Sequence, residues 1–175
     1  MKQGLIHIYC GDGKGKTSAC LGLALRCAGN AGRVLFVQFL KSWKTGELES
    51  LKNLPNIEVL RAKTINKFSF QMTEKEKSSV LAEHKALFAQ ILARLENESI
   101  DLLILDEIIG ACNTDLFELN DLLEFLKKKP VATEIAMSGR DPAPVLLELA
   151  DYVSEVKKVK HPFDRGIAAR KGIER

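Results

Sequence analysis

The sequence predicts a single α/β domain with a mostly parallel central sheet and helices on both faces. Three observations predict it. Strand-like runs alternate with helical patterns along the chain, several of those runs are apolar almost throughout, and a glycine-rich turn joins the first strand to the first helix. The 175 residues suffice for one domain with a sizeable core, without a disulfide or zinc staple.

Leu5–Cys10 reads as a strand that stops at Gly11, and Lys16–Ala28 as a helix ended by Gly29-Asn30. Val34–Phe39 (VLFVQF) has the pattern of a strand covered on both faces, and Ile57–Leu60 is a weaker one. Thr73-Glu74-Lys75-Glu76 has capping-box spacing. Behind it Val80, Leu81, His84, Leu87, Phe88, Ile91, Leu92 and Leu95 recur at helical spacing, which gives a long amphipathic helix. His84 on that stripe reads as a satisfied core histidine rather than a ligand. Leu102–Leu105 is a buried strand ending in Asp106-Glu107, and a helix near Asn120–Lys128 follows, stopped by Pro130. Thr133–Met137 is the next strand, Val145–Leu149 a short helix and Tyr152–Val156 a last strand. No repeat, low-complexity stretch or linker divides the chain, so residues 1–175 read as one domain.

Composition narrows the function classes. Twenty-six basic against 23 acidic residues leave a net charge of +3, too small for a general nucleic-acid binder. Seven of the basic residues fall between Lys157 and Arg175, a segment that is either solvated or turned toward a polyanion. Cys10, Cys20, Cys27 and Cys112 include no C-x-x-C pair, which favours buried reduced thiols over a zinc site. With no membrane-length apolar stretch and no signal-peptide pattern, the expected location is cytoplasmic.

The most informative stretch is Gly11-Asp12-Gly13-Lys14-Gly15-Lys16-Thr17-Ser18, between the first strand and the first helix. In that place a Gly-Lys-Thr loop of the Walker A kind cradles phosphates with backbone N–H groups and the helix N-terminus, and predicts a P-loop NTPase (RecA-like) fold. Lys16 supplies a full charge to the phosphates, and the Thr17 hydroxyl is a natural Mg²⁺ ligand. The loop departs from the usual spacing: Cys10 stands where a glycine is customary, so it is one residue shorter. Asp106-Glu107, at the carboxyl end of a buried strand, brings carboxylates to the metal. Glu107 would orient a water in an ATP hydrolase, or help hold Mg²⁺ in an enzyme that never attacks phosphorus; the residues by themselves leave both roles open.

In sequence order, GDGKGKTSA, VQFLKSWKTGE (Val37–Glu47), LLILDE and SGRDPAPVLLELADYVSEVKKVKHPFDRGI (Ser138–Ile167) resemble the P-loop type of ATP:corrinoid adenosyltransferase. The resemblance implies a transferase in which the Co(I) of a reduced corrinoid attacks the 5′ carbon of ATP and expels triphosphate, in adenosylcobalamin biosynthesis or salvage. It also implies ATP phosphates reversed relative to ordinary P-loop enzymes, in keeping with the altered loop. Such a reaction needs no general base; it needs C5′ held in line with cobalt and the negative charge growing on triphosphate stabilised. Lys14, Lys16, Thr17 with Mg²⁺, Glu107 and the loop N–H groups suit that task, with Asp106 as a further metal ligand.

By the same resemblance, Arg26 corresponds to a helix arginine expected to reach the phosphates, and Phe68-Ser69-Phe70 to an aromatic pair beneath the corrin ring. That pair implies displacement of the lower ligand and a four-coordinate Co(II) that is easier to reduce. Phe70 stands where tryptophan is found in a well-known member, and Trp43 receives no role. Asp12 replaces an asparagine common in the family loop; its charge is expected to weaken ATP binding unless it faces solvent or meets a basic neighbour. The segment 157–175 is expected to wrap over the nucleotide, with Phe163 near the adenine; without the covering N-terminal extension of longer members, the site is expected either to be more open or to be covered by this tail and the Lys41–Thr45 loop. A homodimer and a flavoprotein electron donor are further implications. A small P-loop kinase or hydrolase is the competing reading, and a non-catalytic nucleotide- or RNA-binding module a more distant one.

Overall fold

The structure is a computed structural model that describes residues 3–41, 45–63, 67 and 69–174. Six strands form one sheet in the order β3-β2-β4-β5-β1-β6. They are β1 (Ile6–Cys10), β2 (Val34–Gln38), β3 (Ile57–Arg61), β4 (Leu102–Asp106), β5 (Glu134–Ser138) and β6 (Tyr152–Glu155), and every recorded pairing is parallel. The helices are α1 (Lys16–Gly29), α2 (Gly46–Leu51), α3 (Glu74–Asn97), α4 (Ile108–Asn113), α5 (Leu119–Lys128) and α6 (Pro144–Leu149). The predicted strands and main helices all form, with ends moved by one or two residues. The three-residue turn Ser69–Gln71, the six-residue helices α2 and α4 and the 3-10 turn Pro162–Arg165 carry no periodic signal of their own and appear only in the structure.

Strand alternation explains the two-faced core. Val34 and Phe36 of β2, with Leu102 and Ile104 of β4, pack with Cys20 and Ala24 of α1 and Leu51 of α2. Their neighbours Leu35, Val37, Leu103 and Leu105 pack on the opposite face, with Leu87 and Ile91 of α3, Ile108 and Ile109 of α4, and Leu122 and Leu126 of α5. Three of the buried polar residues, Gln38, Asp106 and Ser138, stand where β2, β4 and β5 end, all fully buried. Burial favours mutual hydrogen bonding among them: Asp106 accepts from both Gln38 Nε2 and Ser138 Oγ, while Gln38 Oε1 is left without a partner.

The capping box of α3 is present: the Glu76 amide donates to Thr73 Oγ1 at 3.3 Å and the Thr73 amide donates to Glu76 Oε2 at 2.8 Å. His84 is fully buried, its ring nitrogens each 2.7 Å from the backbone carbonyls of Leu116 and Phe39. It ties α3 to the end of β2 and takes no part in the site. All four cysteines are free thiols, Cys10 and Cys20 buried and the other two half-buried. Among the described residues no helix is long and apolar enough to cross a membrane.

Candidate active site

The loop from Gly11 to Gly15 leaves the carboxyl end of β1 and runs into α1. Gly15 caps that helix without a side-chain hydrogen bond, and no acidic residue lies in its first turn. The first N–H groups of a helix have no intrahelical acceptor, so this end is chemically suited to an anion. Lys16, only 8% exposed, folds back over the loop, its Nζ donating to the carbonyls of Gly11 (2.7 Å) and Gly13 (2.9 Å). Burial pulls its pKa below the ordinary lysine value, with the nearby Glu107 opposing the shift.

Two of the loop glycines have a reason that sequence alone did not supply. Residues after β6 press directly on the loop: the Gly13 amide donates to the Val156 carbonyl at 2.7 Å. A Cβ on Gly13 would stand 2.7 Å from that oxygen, and one on Gly11, whose φ is +101°, only 2.5 Å from it. The Asp12 carboxylate accepts from the Lys158 amide at 2.9 Å, which holds its pKa below the ordinary carboxylate value. Asp12 therefore serves as a clasp between the loop and the C-terminal segment, through a backbone N–H rather than a basic side chain.

At the ends of the neighbouring strands, Asp106 is the hub. Its Oδ1 accepts from Ser138 Oγ at 2.6 Å and from Thr17 Oγ1 at 3.0 Å. Its Oδ2 accepts from Gln38 Nε2 at 3.2 Å and from Lys41 Nζ at 2.9 Å. Lys41 Nζ also donates to Thr17 Oγ1 at 2.8 Å, so one ammonium bridges the hydroxyl and the buried carboxylate. Glu107 takes a left-handed conformation (φ 63°) uncommon for a side-chain-bearing residue, and its amide donates to Ser138 Oγ at 3.0 Å. Its half-buried carboxyl has a raised pKa, first because burial disfavours the charge and then because Asp106 repels it.

The sign of that shift makes a prediction. An unfolded Glu107 ionises at the ordinary carboxylate value, below the folded one, so its ionisation costs stability progressively as pH rises through that interval. Glu107→Gln is expected to gain stability relative to the parent as pH rises from about 4 to 7. Melting temperatures of the two proteins across that range check it; a constant difference would show that burial does not disfavour the Glu107 charge.

A cavity of about 650 Å³ lies beside these groups, lined by the loop from Asp12 to Ser18, Lys41, Glu47, Glu107, Arg140 and His161. Gly172, Ile173 and Glu174 of the C-terminal segment close part of its rim. An adjoining cavity of about 240 Å³ is lined by Lys14, Phe163, Ile167 and Glu174 among others. Arg170 pairs with Glu174 at 2.9 Å and draws its carboxyl pKa down to about 2.

The structure thus brings together Gly11, Asp12, Gly13, Lys14, Gly15, Lys16, Thr17, Ser18, Asp106 and Glu107, with Phe163 beside them in the second cavity. It does not bring Arg26 to the cradle. That residue is exposed in the last turn of α1, about 15 Å along the axis from Lys16 at 1.5 Å per residue, beyond the reach of an arginine side chain. Phe70 lies on the turn after β3 and is 82% exposed, so it is no anchor of the core; Phe68 and Trp43 lie outside the described residues. Lys41, Gln38, Ser138, Glu47 and Arg140 were not singled out as site residues from the sequence. The available signal was a polar residue ending an apolar strand: Gln38 in VLFVQF and Ser138 in EIAMS.

A divalent cation fits this donor set. Thr17 Oγ1 and Asp106 Oδ2 already share one cation, the Lys41 ammonium, and Glu107 opens onto the same cavity. Among the described residues no three His, Cys, Asp or Glu side chains converge to hold a metal, so the remaining ligands of a magnesium-type ion would be waters and phosphate oxygens.

Known proteins resemble this chain in fold and in sequence. A KaiC-like protein from Pyrococcus horikoshii superposes with a TM-score of 0.52 at 12% identity, over 89% of this chain and 73% of that one, which establishes a shared fold. The corrinoid adenosyltransferase of Escherichia coli (strain K12) is 32% identical over 174 residues, 99% of this chain and 86% of the relative. That of Pseudomonas aeruginosa is 31% identical over 175 residues, 99% and 84% of the two chains. The family described as ATP:corrinoid adenosyltransferase BtuR/CobO/CobP matches residues 2–175. A match over residues 2–175 and relatives 31–32% identical over 99% of the chain place it in one family: the chain belongs to the ATP:corrinoid adenosyltransferases.

Proposed function

We propose that this chain transfers the 5′-deoxyadenosyl group of ATP to the Co(I) of a reduced corrinoid and releases triphosphate. The observation that carries the reading is the uncapped start of α1, facing Lys16 and Lys14, in a chain that matches the family over residues 2–175. Two electrons from cobalt form the Co–C5′ bond, and the C5′–O5′ pair leaves with the triphosphate. No proton has to be removed from the nucleophile, so the site needs no His–carboxylate pair.

The protein's task is to gather negative charge. Lys16 leaves the Gly11 and Gly13 carbonyls for phosphate oxygens, joined by the first N–H groups of α1, Lys14 and Arg140. Thr17, Asp106 and Glu107 would hold a magnesium ion, which supplies further neutralisation of the departing anion. The C-terminal segment from Lys157 covers the nucleotide, with Phe163 toward the adenine; its grip on the loop through Asp12 and Val156 supports that placement. Phe70 takes the corrinoid's lower face with Phe68, supported by the 82% exposure of a large aromatic at the carboxyl edge of the sheet. A homodimer is supported by β6, an edge strand whose Tyr152 and Val153 are 52% and 48% exposed. The flavoprotein donor rests on the family resemblance, and the cytoplasm on the reduced thiols.

The test is product identity. With Mg²⁺, ATP and chemically reduced cobalamin, light-sensitive adenosylcobalamin and triphosphate are expected; ADP and phosphate would favour a hydrolase or kinase. Phe70→Ala is expected to slow adenosylation by about tenfold or more, about 1.4 kcal/mol, when Co(II) must be reduced by a mild donor. The same variant should lose much less when Co(I) is supplied chemically, and equal losses in both assays would remove Phe70 from the reduction step.

A further inference from the structure

The Lys41 ammonium stands where a divalent cation would bind Thr17 and Asp106, with Nζ 2.8 Å from the hydroxyl and 2.9 Å from the carboxylate. Asp106 is fully buried, and its other recorded partners, Ser138, Gln38 and Thr17, are neutral. A buried carboxylate without a counter-charge is costly, so Lys41 gives it the positive charge that it requires. An ammonium and a divalent ion cannot share that point, since both need the same oxygen lone pairs and repel each other. The Lys41 main chain is fixed independently, its carbonyl accepting from Arg61 Nη2 at 3.0 Å. The side chain, 18% exposed, lines the same cavity as Lys14, Lys16 and Arg140, so on leaving Asp106 it faces the triphosphate position.

We infer that Lys41 is a displaceable stand-in for the metal: it holds the Thr17–Asp106 position until a divalent ion arrives with a polyphosphate, then moves to the phosphate oxygens. The inference rests on the metal placement proposed above. Lys41 is then a positioning residue that makes metal entry depend on nucleotide and keeps Asp106 paired at every stage.

The test reads metal binding directly, with Mn²⁺ as probe and electron paramagnetic resonance of the free ion as readout. Lys41→Met is expected to bind Mn²⁺ at least tenfold more tightly than the parent without nucleotide, because the competing charge is gone. The gain should vanish in Lys41→Met/Asp106→Asn, with Lys41→Met/Thr17→Val as a second check should the first double variant fail to fold. If Lys41→Met gains nothing while the parent binds Mn²⁺ with triphosphate in an Asp106-dependent manner, the metal placement stands and the Lys41 proposal is overturned. If no Asp106- or Thr17-dependent binding appears with or without triphosphate, the metal placement fails and the Lys41 proposal falls with it.

Discussion

Lys16→Ala is expected to lower turnover by at least about 10²-fold, on the order of 3 kcal/mol of transition-state stabilisation. The lysine is 8% exposed and aimed into the loop by two backbone carbonyls, so its charge acts at short range with little water to screen it. The charge matters most when triphosphate departs, because C–O cleavage places a new negative charge on an already anionic group. The loss should therefore appear in kcat as well as in kcat/KM. Steady-state rates with chemically supplied Co(I) measure it, and near-parental turnover would mean that the cradle does not face the departing anion.

Asp106→Asn is expected to damage both stability and activity. The substitution keeps the shape but removes the counter-charge of the half-buried Lys41 ammonium and turns an NH₂ group toward groups that also donate. Breaking one partner of a buried ion pair costs about 3 kcal/mol or more. For a chain of this length that corresponds to a melting temperature lower by roughly 6–12 °C. Turnover should fall about 10²-fold or more, since Thr17, Ser138, Gln38 and Lys41 all take their positions from this one side chain. Melting curves and rates on the same preparation check both. Unchanged melting together with turnover within about tenfold of the parent would show that Asp106 is not the organising group.

The fold was legible because its signals are local and repeated. Val34–Gln38 and Leu102–Asp106 are runs that only a sheet covered on both faces can bury, and the Thr73–Glu76 box announces α3 before any tertiary contact exists. The helices α2 and α4, six residues each, escaped because they are shorter than two helical turns and owe their form to packing. The phosphate loop, Asp106 and Glu107 were legible as a motif on a strand end. Lys41 was not, because its importance is a distance to two residues far away in sequence. Asp12 shows the same limit. Its charge suggested a penalty on ATP, yet its partner is a backbone amide 146 positions along the chain. Arg26 fails for a simpler reason: a motif match fixes a residue's place on a helix, and ten residues of α1 carry that place away from the loop.

In the proposed reaction the loop at α1 holds triphosphate as a leaving group while carbon, not phosphorus, is attacked. The most direct measurement uses ATP labelled with ¹⁸O at the 5′ bridging position, reduced cobalamin, and mass spectrometry of the inorganic products. Triphosphate that retains the label is expected, because the C5′–O5′ bond breaks and the oxygen leaves with phosphorus. Label remaining on the nucleoside, with unlabelled phosphate released, would contradict it.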